Sequence, residues 1–316
     1  MSDQPQALSS ATMPAMTLIV SSLSARGRAL QVGPHVVRIL REAGWRVTVR
    51  VTTSDDDPVS VAAHTHTPFV GALGGDGFVA AVAEGIAQRD AIFVPIPAGR
   101  GNDLCRKLGV GSDAQARARS LAQTLHAVVG PQHQETWQDH LHRMDGMWVE
   151  SADGKRLVVG VLSVGLEAVA NARANNSWLR NGPLAYAWGG ISTLWHFKGD
   201  HFRVRLNGTD VDMPGWVLSV SNSGMLGGGI PLSPTSDLFD GCLELVSVGQ
   251  IPFREAMVAL LKVVTGRQST DKISVTPITD ITITEPQGIV AMADGDCVAH
   301  VPLSCTVAPG IVQTLI

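Results

Sequence analysis

Two neighbouring segments constrain the fold of this chain more than any others. "TPFVGALGGDGFVAAVAEGIAQ" (67–88) and "AIFVPIPAGRGNDLCRKLG" (91–109) each run from a short apolar stretch through a glycine-rich turn into apolar residues at helical spacing. Pro95 and Pro97 exclude a helix interior, so the second apolar stretch is a strand, and the first reads the same way. "MTLIVSS" (16–22) is a third buried strand, followed by the loop "SSLSARGRA". "VVRILREAGW" has helical spacing and ends near Gly44, "RVTVRVTT" alternates as a strand, and "SVAAHTH" reads as a short helix. Alternating strands and helices imply a parallel sheet with helices on its faces. Ligands of such sheets sit beyond the carboxyl ends of the strands. The loops at 21–28, 74–77 and 98–102 all follow strands, which brings them to one edge.

After about residue 140 the texture changes. "RMDGMWVES-ADGK-RLVVGVLSVG" reads as strand, turn, strand. "HFRVRLNGTDVDMPGWVLSVSNSG", "CLELVSVG", "KISVTP", "ITITEP" and the final segment are short β-runs separated by turn signals. That pattern suggests a sandwich or barrel, interrupted by one helical patch, "LAYAWGGISTLWHF". The expected organisation is a lead-in over 1–15, an α/β domain over 16–140 and a β-rich domain over 141–316. The last strand is a candidate for return to the first domain.

Composition narrows the class. Of 316 residues, 45% are hydrophobic and 16% charged, which supports a sizeable core rather than a disordered chain. A net charge of −4 argues against nucleic-acid binding. Cys105, Cys242, Cys297 and Cys305 form no C-x-x-C pair and have no His at zinc spacing, so they read as free thiols of a reducing compartment. The histidines lie in polar, loop-like surroundings and read as solvated. "MSDQPQALSSATMPAM" has no signal-peptide pattern. No stretch reaches the roughly 18 apolar residues of a membrane span; "LVVGVLSVGLEAVANA" is broken by glycines and Glu167. A cytoplasmic protein is expected, with peripheral membrane contact compatible.

The chemistry begins at "LGGDGF" (73–78). Glycines let the backbone approach a ligand and expose N–H groups, which together with a helix N-terminus form an anion site. The Asp76 carboxylate would repel a bare phosphate, but fits one bridged by a cation. The other reading is a tight turn with Asp76 capping its own helix. In the second loop Asn102 and Asp103 stand where they could cap a helix. A second Asp in a second glycine loop at the same edge exceeds what a turn needs and suits Mg²⁺-nucleotide.

Gly-Gly-Asp-Gly, then Pro-x-Gly-x-x-Asn-Asp-Leu and "RKLG", resembles the diacylglycerol kinase catalytic domain family, which includes bacterial lipid kinases and sphingosine kinases. The turn alone is shared with NAD kinases and phosphofructokinases; the ordered set is more specific. "LIVSSLSARGRA", "RMDGMWV", "VLSVGLEAVA", "GPLAYAWGGISTL", "SNSGMLGGGIPLSPTSDLFDGCLELV" and "VAMADGDCVAHVPLSCTVAPG" extend the resemblance over nearly the whole chain. It implies an NAD kinase/phosphofructokinase-like α/β domain that binds ATP and a β-sandwich-like domain that holds the lipid. It places Ser21, Ser24, Arg26, Thr52, Gly74, Gly75, Asp76, Gly77, Phe78, Gly99, Arg100, Asn102 and Asp103 around the nucleotide. It gives Asp76, Asp103 and Asp145 to Mg²⁺, counts Asp76 among the catalytic residues, and gives Asp237, Asp240 and the Cys242 backbone to a second, structural metal. Asp296 takes the place of the family's carboxylate base, which accepts the lipid hydroxyl proton during attack on the γ-phosphoryl group. Read without the resemblance, "MADGDCV" is a hairpin built on Asp-Gly. Bacterial members of the family imply a homodimer.

Four positions depart from the family pattern. Phe78 and Arg100 replace threonines, Ser21-Ser22 replaces Asn-Pro, and Ala25 replaces a glycine. Phe78 offers no hydroxyl; it packs under the helix or stacks on the nucleotide base. Arg100 supplies a strong phosphate ligand, for nucleotide or acidic head group, or points to solvent. The expected function is an ATP-dependent lipid kinase acting on diacylglycerol or a related lipid alcohol. The alternatives are a relative that binds nucleotide or lipid without turnover, and a kinase of a soluble acceptor such as NAD.

Overall fold

The computed structural model describes residues 13–87, 89–130, 135–165, 200–206, 208–226, 230–233, 235–249, 255 and 273–316. The lead-in up to residue 12, the expected helical patch at 184–197 and most of "VLSVGLEAVA" beyond residue 165 lie outside the described residues. Two compact units emerge from the contacts: one runs to Met144 and includes Gly310–Ile316, the other is Asp145–Pro309.

In the first unit, strands β1 (Ala15–Ser21), β2 (Arg46–Thr52), β3 (Phe69–Gly74) and β4 (Ile92–Pro97) alternate with helices α1 (Arg28–Glu42), α2 (Pro58–Ala63), α3 (Asp76–Ile86), α4 (Asp103–Lys107) and α5 (Ala114–Val129). The sheet order is β2-β1-β3-β4, with every pair parallel. β1, β3 and β4 read as continuous apolar runs because both faces of a parallel sheet are covered. Helix α1 buries Ala29, Gly33, Val36 and Leu40, and α5 buries Ala118, Leu121, Leu125 and Val128; each set repeats at three- or four-residue spacing. Trp45, Phe69 and Trp137 meet in that core with ring centroids 5.0–5.8 Å apart. α3 lies close on α2, since a methyl group on Gly85 would come within 2.3 Å of the Val59 carbonyl oxygen.

The second unit holds the part of β5 (Leu141–Ser151) from Asp145 onward, β6 (Gly154–Val158), β7 (Val161–Gly165), β8 (Asp200–Leu206), β9 (Thr209–Ser221), β10 (Met225–Leu226), β11 (Ile230–Pro231), β12 (Leu243–Gly249), β13 (Ile273–Ile278), β14 (Asp280–Glu285), β15 (Val290–Ala293), β16 (Asp296–His300) and the part of β17 (Leu303–Leu315) up to Pro309. Its antiparallel ladder runs β16-β15-β7-β9-β8-β14-β17, with β12 between β9 and β13. The apolar core gathers Met147, Leu162, Phe202, Leu218, Leu245, Ile283 and Leu303, among others. β17 pairs with β14 through Leu303–Thr306, and its Thr314 pairs in parallel with Phe93 of β4. No described helix is long and apolar enough to cross a membrane.

Candidate functional site

Because β1, β3 and β4 are neighbours, the three loops that follow them meet. The Gly75 N–H donates to Ser24 Oγ at 3.0 Å, and Ser24 N–H donates to Ser21 Oγ at 3.1 Å. A methyl on Gly99 would sit 2.5 Å from the Gly75 Cα, so the second and third loops touch backbone to backbone. Glycine at 99 is therefore a requirement of close approach. In the first loop Ala25, Arg26 and Gly27 all have left-handed backbone, at φ 45°, 62° and 84°. Thr52, at the end of β2, bonds the Val20 carbonyl. Arg26 is exposed.

Asp76 does not cap its own helix. Gly75 is the N-cap of α3, and the Asp76 carboxylate instead accepts N–H groups of Asn102 (2.7 Å), Asp103 (2.5 Å) and Leu104 (3.3 Å). It thus satisfies the orphan donors of α4, 26 or more residues away. Asn102 is the N-cap of α4 but makes no side-chain cap; its amide closes on Gly99, accepting that residue's N–H at 2.7 Å and donating to its carbonyl at 3.2 Å. Asn102 takes the left-handed conformation, φ 56°, which asparagine tolerates.

These bonds decide which donors remain for an anion. The N–H groups of Gly75, Gly99, Asn102, Asp103 and Leu104 are consumed. Among the described residues, those of Asp76, Gly77 and Phe78 at the start of α3, and of Arg100 and Gly101, have no protein partner. The exposed Arg100 guanidinium also has none.

Phe78 packs on Gly74. A methyl group there would lie 2.4 Å from Phe78 Cδ1 and 3.0 Å from its Cβ, so the ring occupies the space a side chain at 74 would need. The ring is half-buried.

Asp103 is the electrostatic centre of the site. It is 5% exposed, and among the described residues neither carboxylate oxygen has a hydrogen-bond partner. Arg106, one turn on, approaches Oδ1 at 3.5 Å. A buried carboxylate without hydrogen bonds is costly unless a cation completes it, so this donor fits a hard divalent ion such as Mg²⁺. Burial pushes the Asp76 carboxyl above its usual range, and the charge of Asp103 pushes it the same way, against the three backbone bonds. Burial, and next the Asp76 charge, push the Cys105 thiol up to about 12, which leaves it an inert core group.

In the second unit Asp145 is 2% exposed, and its carboxylate accepts the Gly241 N–H at 2.7 Å, pinning the loop that carries Asp237, Asp240 and Cys242. Asp237 Oδ1 accepts the Phe239 N–H and Asp240 Oδ1 the Cys242 N–H, which are local turns. Among the described residues no three His, Cys, Asp or Glu side chains gather as metal ligands. Asp296 is exposed at the start of β16, after the two-residue turn Asp294-Gly295 with φ 51° and 93°. The Asp294 carboxylate lies against Gly160.

Two groups have no counterpart among the sequence-derived site residues. Asn222 is 1% exposed; its amide donates to the Asp145 and Val159 carbonyls, and among the described residues its own Oδ1 has no partner. Buried Glu244 accepts Thr235 Oγ1–H at 2.7 Å and the Ser236 hydroxyl, which also contacts Ser221. Their only sequence signal is the placement of polar residues at strand ends.

A parallel α/β unit with glycine loops gathered at one edge, followed by an antiparallel β unit, is the architecture of the NAD kinase-like lipid kinases. Residues 15–130 match the diacylglycerol kinase catalytic domain and 160–316 the YegS C-terminal NAD kinase beta sandwich-like domain. The chain thus resembles lipid kinases of this type in the order of its two matched domains. It is 24% identical over 315 residues to a protein of Mycobacterium tuberculosis named diacylglycerol kinase, covering 95% of this chain and 94% of that one. A probable lipid kinase YegS-like of Xanthomonas oryzae pv. oryzae is 26% identical over 290 residues, covering 87% and 88%. The solved structure of a putative diacylglycerol kinase from Bacillus anthracis superposes with a TM-score of 0.75 at 17% identity, covering 96% and 97% of the two chains.

Proposed function

We propose that this protein is an ATP-dependent lipid kinase that phosphorylates the hydroxyl of diacylglycerol or a related lipid alcohol. The observation that carries the reading is the pairing, at one sheet edge, of free backbone donors with the buried, hydrogen-bond-free carboxylate of Asp103. Five N–H groups and the Arg100 guanidinium would hold phosphate oxygens. Asp103 would hold Mg²⁺, directly or through water, and Asp76 keeps α4 and hence Asp103 in place. Mg²⁺, when bound, supplies neutralisation of the charge on the transferring phosphoryl group. Asp296 would accept the proton of the attacking lipid hydroxyl. The names of the Mycobacterium and Xanthomonas relatives favour this acceptor class. Asp237, Asp240 and the Cys242 carbonyl would hold a second, structural ion, with Asp145 fixing their loop. The protein would act in the cytoplasm, as a homodimer meeting its lipid at the membrane surface.

The test is transfer of label from [γ-³²P]ATP to diacylglycerol in mixed micelles, read in the organic phase. Mg²⁺-dependent label that is lost in Asp296→Asn is expected. No label with diacylglycerol or a panel of other lipid alcohols, in a preparation that binds ATP, would remove catalysis from the reading.

A further inference from the structure

Arg117, in the first turns of α5, is a buried cation that the proposed chemistry does not use. It is 3% exposed. Its Nε–H donates to the Pro95 carbonyl at 3.3 Å and its Nη2 to the Leu315 carbonyl at 2.5 Å. Among the described residues its hydrogen bonds are these two, from Nε and Nη2, no carboxylate pairs with the guanidinium, and the guanidinium borders open space. Burial pulls its pKa down to about 10, and only the neighbouring Cys105 offsets the shift. An isolated buried charge of this kind calls for a counter-ion.

Space for one exists. Arg117 lines a solvent-open cavity of about 360 Å³, together with Leu108, Gly109, Val110, Gly111, Ala116, Ser120 and Ile316. The walls are aliphatic or small. The Ser120 hydroxyl has no partner among the described residues. All these groups lie in the first unit.

We infer that this cavity is a binding site for a small organic monocarboxylate, its charged end on the free Nη1 of Arg117 and the Ser120 hydroxyl and its apolar body against Leu108, Val110 and Ile316. The class follows from the donors left over. With Nε and Nη2 spent on carbonyls, the guanidinium cannot present its two-pronged fork, which phosphate and bidentate carboxylate recognition use. A single cation matches a single negative charge, and a dianion would stay half-neutralised in an apolar wall. The apolar lining favours a ligand with a hydrocarbon part over a bare inorganic ion.

Titration calorimetry with hexanoate, hexanol and inorganic phosphate as probes tests the assignment on the full chain. Hexanoate should bind saturably and at least tenfold more tightly than either comparator. Arg117→Met also removes two backbone anchors and is expected to lower stability, so Ala116→Phe is the primary variant. Ala116 is exposed on the cavity wall, and phenylalanine there fills the space while leaving the guanidinium in place. It should weaken hexanoate at least tenfold with an unchanged melting temperature. Hexanol binding as tightly as hexanoate would make the cavity merely apolar, and phosphate binding more tightly would make it a simple anion site. Either result, or absence of hexanoate binding to the unmodified protein, overturns the inference.

Discussion

The packing of Phe78 on Gly74 gives the sharpest local test of the candidate site. In Gly74→Ala the new methyl would lie 2.4, 2.9 and 3.0 Å from three Phe78 atoms, well inside van der Waals contact. The ring cannot simply slide, because Phe78 stands in the first turn of α3 and Val79, its neighbour, is buried. Relief requires a rotamer change or a shift of the helix start, an overpacking cost of about 1–3 kcal/mol. Phe78→Ala alone loses part of a half-buried ring, about 1–2 kcal/mol. The double variant Gly74→Ala/Phe78→Ala removes the clash, so it should be more stable than the sum of the singles by at least about 1 kcal/mol, a coupling typical of residues in contact. Urea unfolding followed by tryptophan fluorescence measures this, since Trp45 and Trp137 pack around Phe69 in the same unit. Additive single effects would refute the packing account and return Phe78 to the role of a ligand contact.

Ala25→Gly should raise the melting temperature. It relieves roughly 1–2 kcal/mol of left-handed strain at φ 45° against about 0.4–1 kcal/mol of added unfolded-chain entropy; a fall would show that the first loop has another conformation. Asp76→Ala should be less stable than Asp76→Asn by roughly 1–2 kcal/mol, because asparagine keeps an acceptor for the α4 donors and alanine keeps none. The raised Asp76 pKa gives a contribution that is present below the ordinary aspartate value and lost as pH rises through the folded-state value. In metal-free buffer the parent protein should therefore lose stability relative to Asp76→Asn as pH rises from about 4 to 7, read by thermal melts at each pH.

The strands and helices of the first unit were legible because they are written locally. Prolines 95 and 97 forbid a helix interior, and β3 and β4 are continuous apolar runs, as a two-sided sheet demands. The meeting of the three loops followed from the rule for parallel sheets. What each side chain does in those loops was less legible. Asp76 looks like a local cap, yet its partners begin at residue 102 and are reached only through the β3–β4 register. Asn102 reads as a cap and instead staples Gly99. The Phe78–Gly74 pair is four residues apart across a strand-to-helix turn, so stereochemistry alone could have suggested it. Arg117 shares its helix with Arg119, indistinguishable from it by type; burial against the Leu315 carbonyl, 198 residues away, separates them. Asn222 and Glu244 are hidden for the same reason, since their partners come from distant strands and loops.

The measurement closest to the central claim is ATP affinity of the parent protein and Asp103→Asn, by calorimetry, with Mg²⁺ and with EDTA. The parent should bind ATP at least tenfold more tightly with Mg²⁺, and Asp103→Asn should lose that gain while keeping its fold, since among the described residues the Asp103 carboxylate makes no hydrogen bond that the amide would break. Equal affinity in EDTA, or an Asp103→Asn variant that keeps the full Mg²⁺ effect, would contradict the assignment of this glycine-loop edge as the metal–nucleotide site.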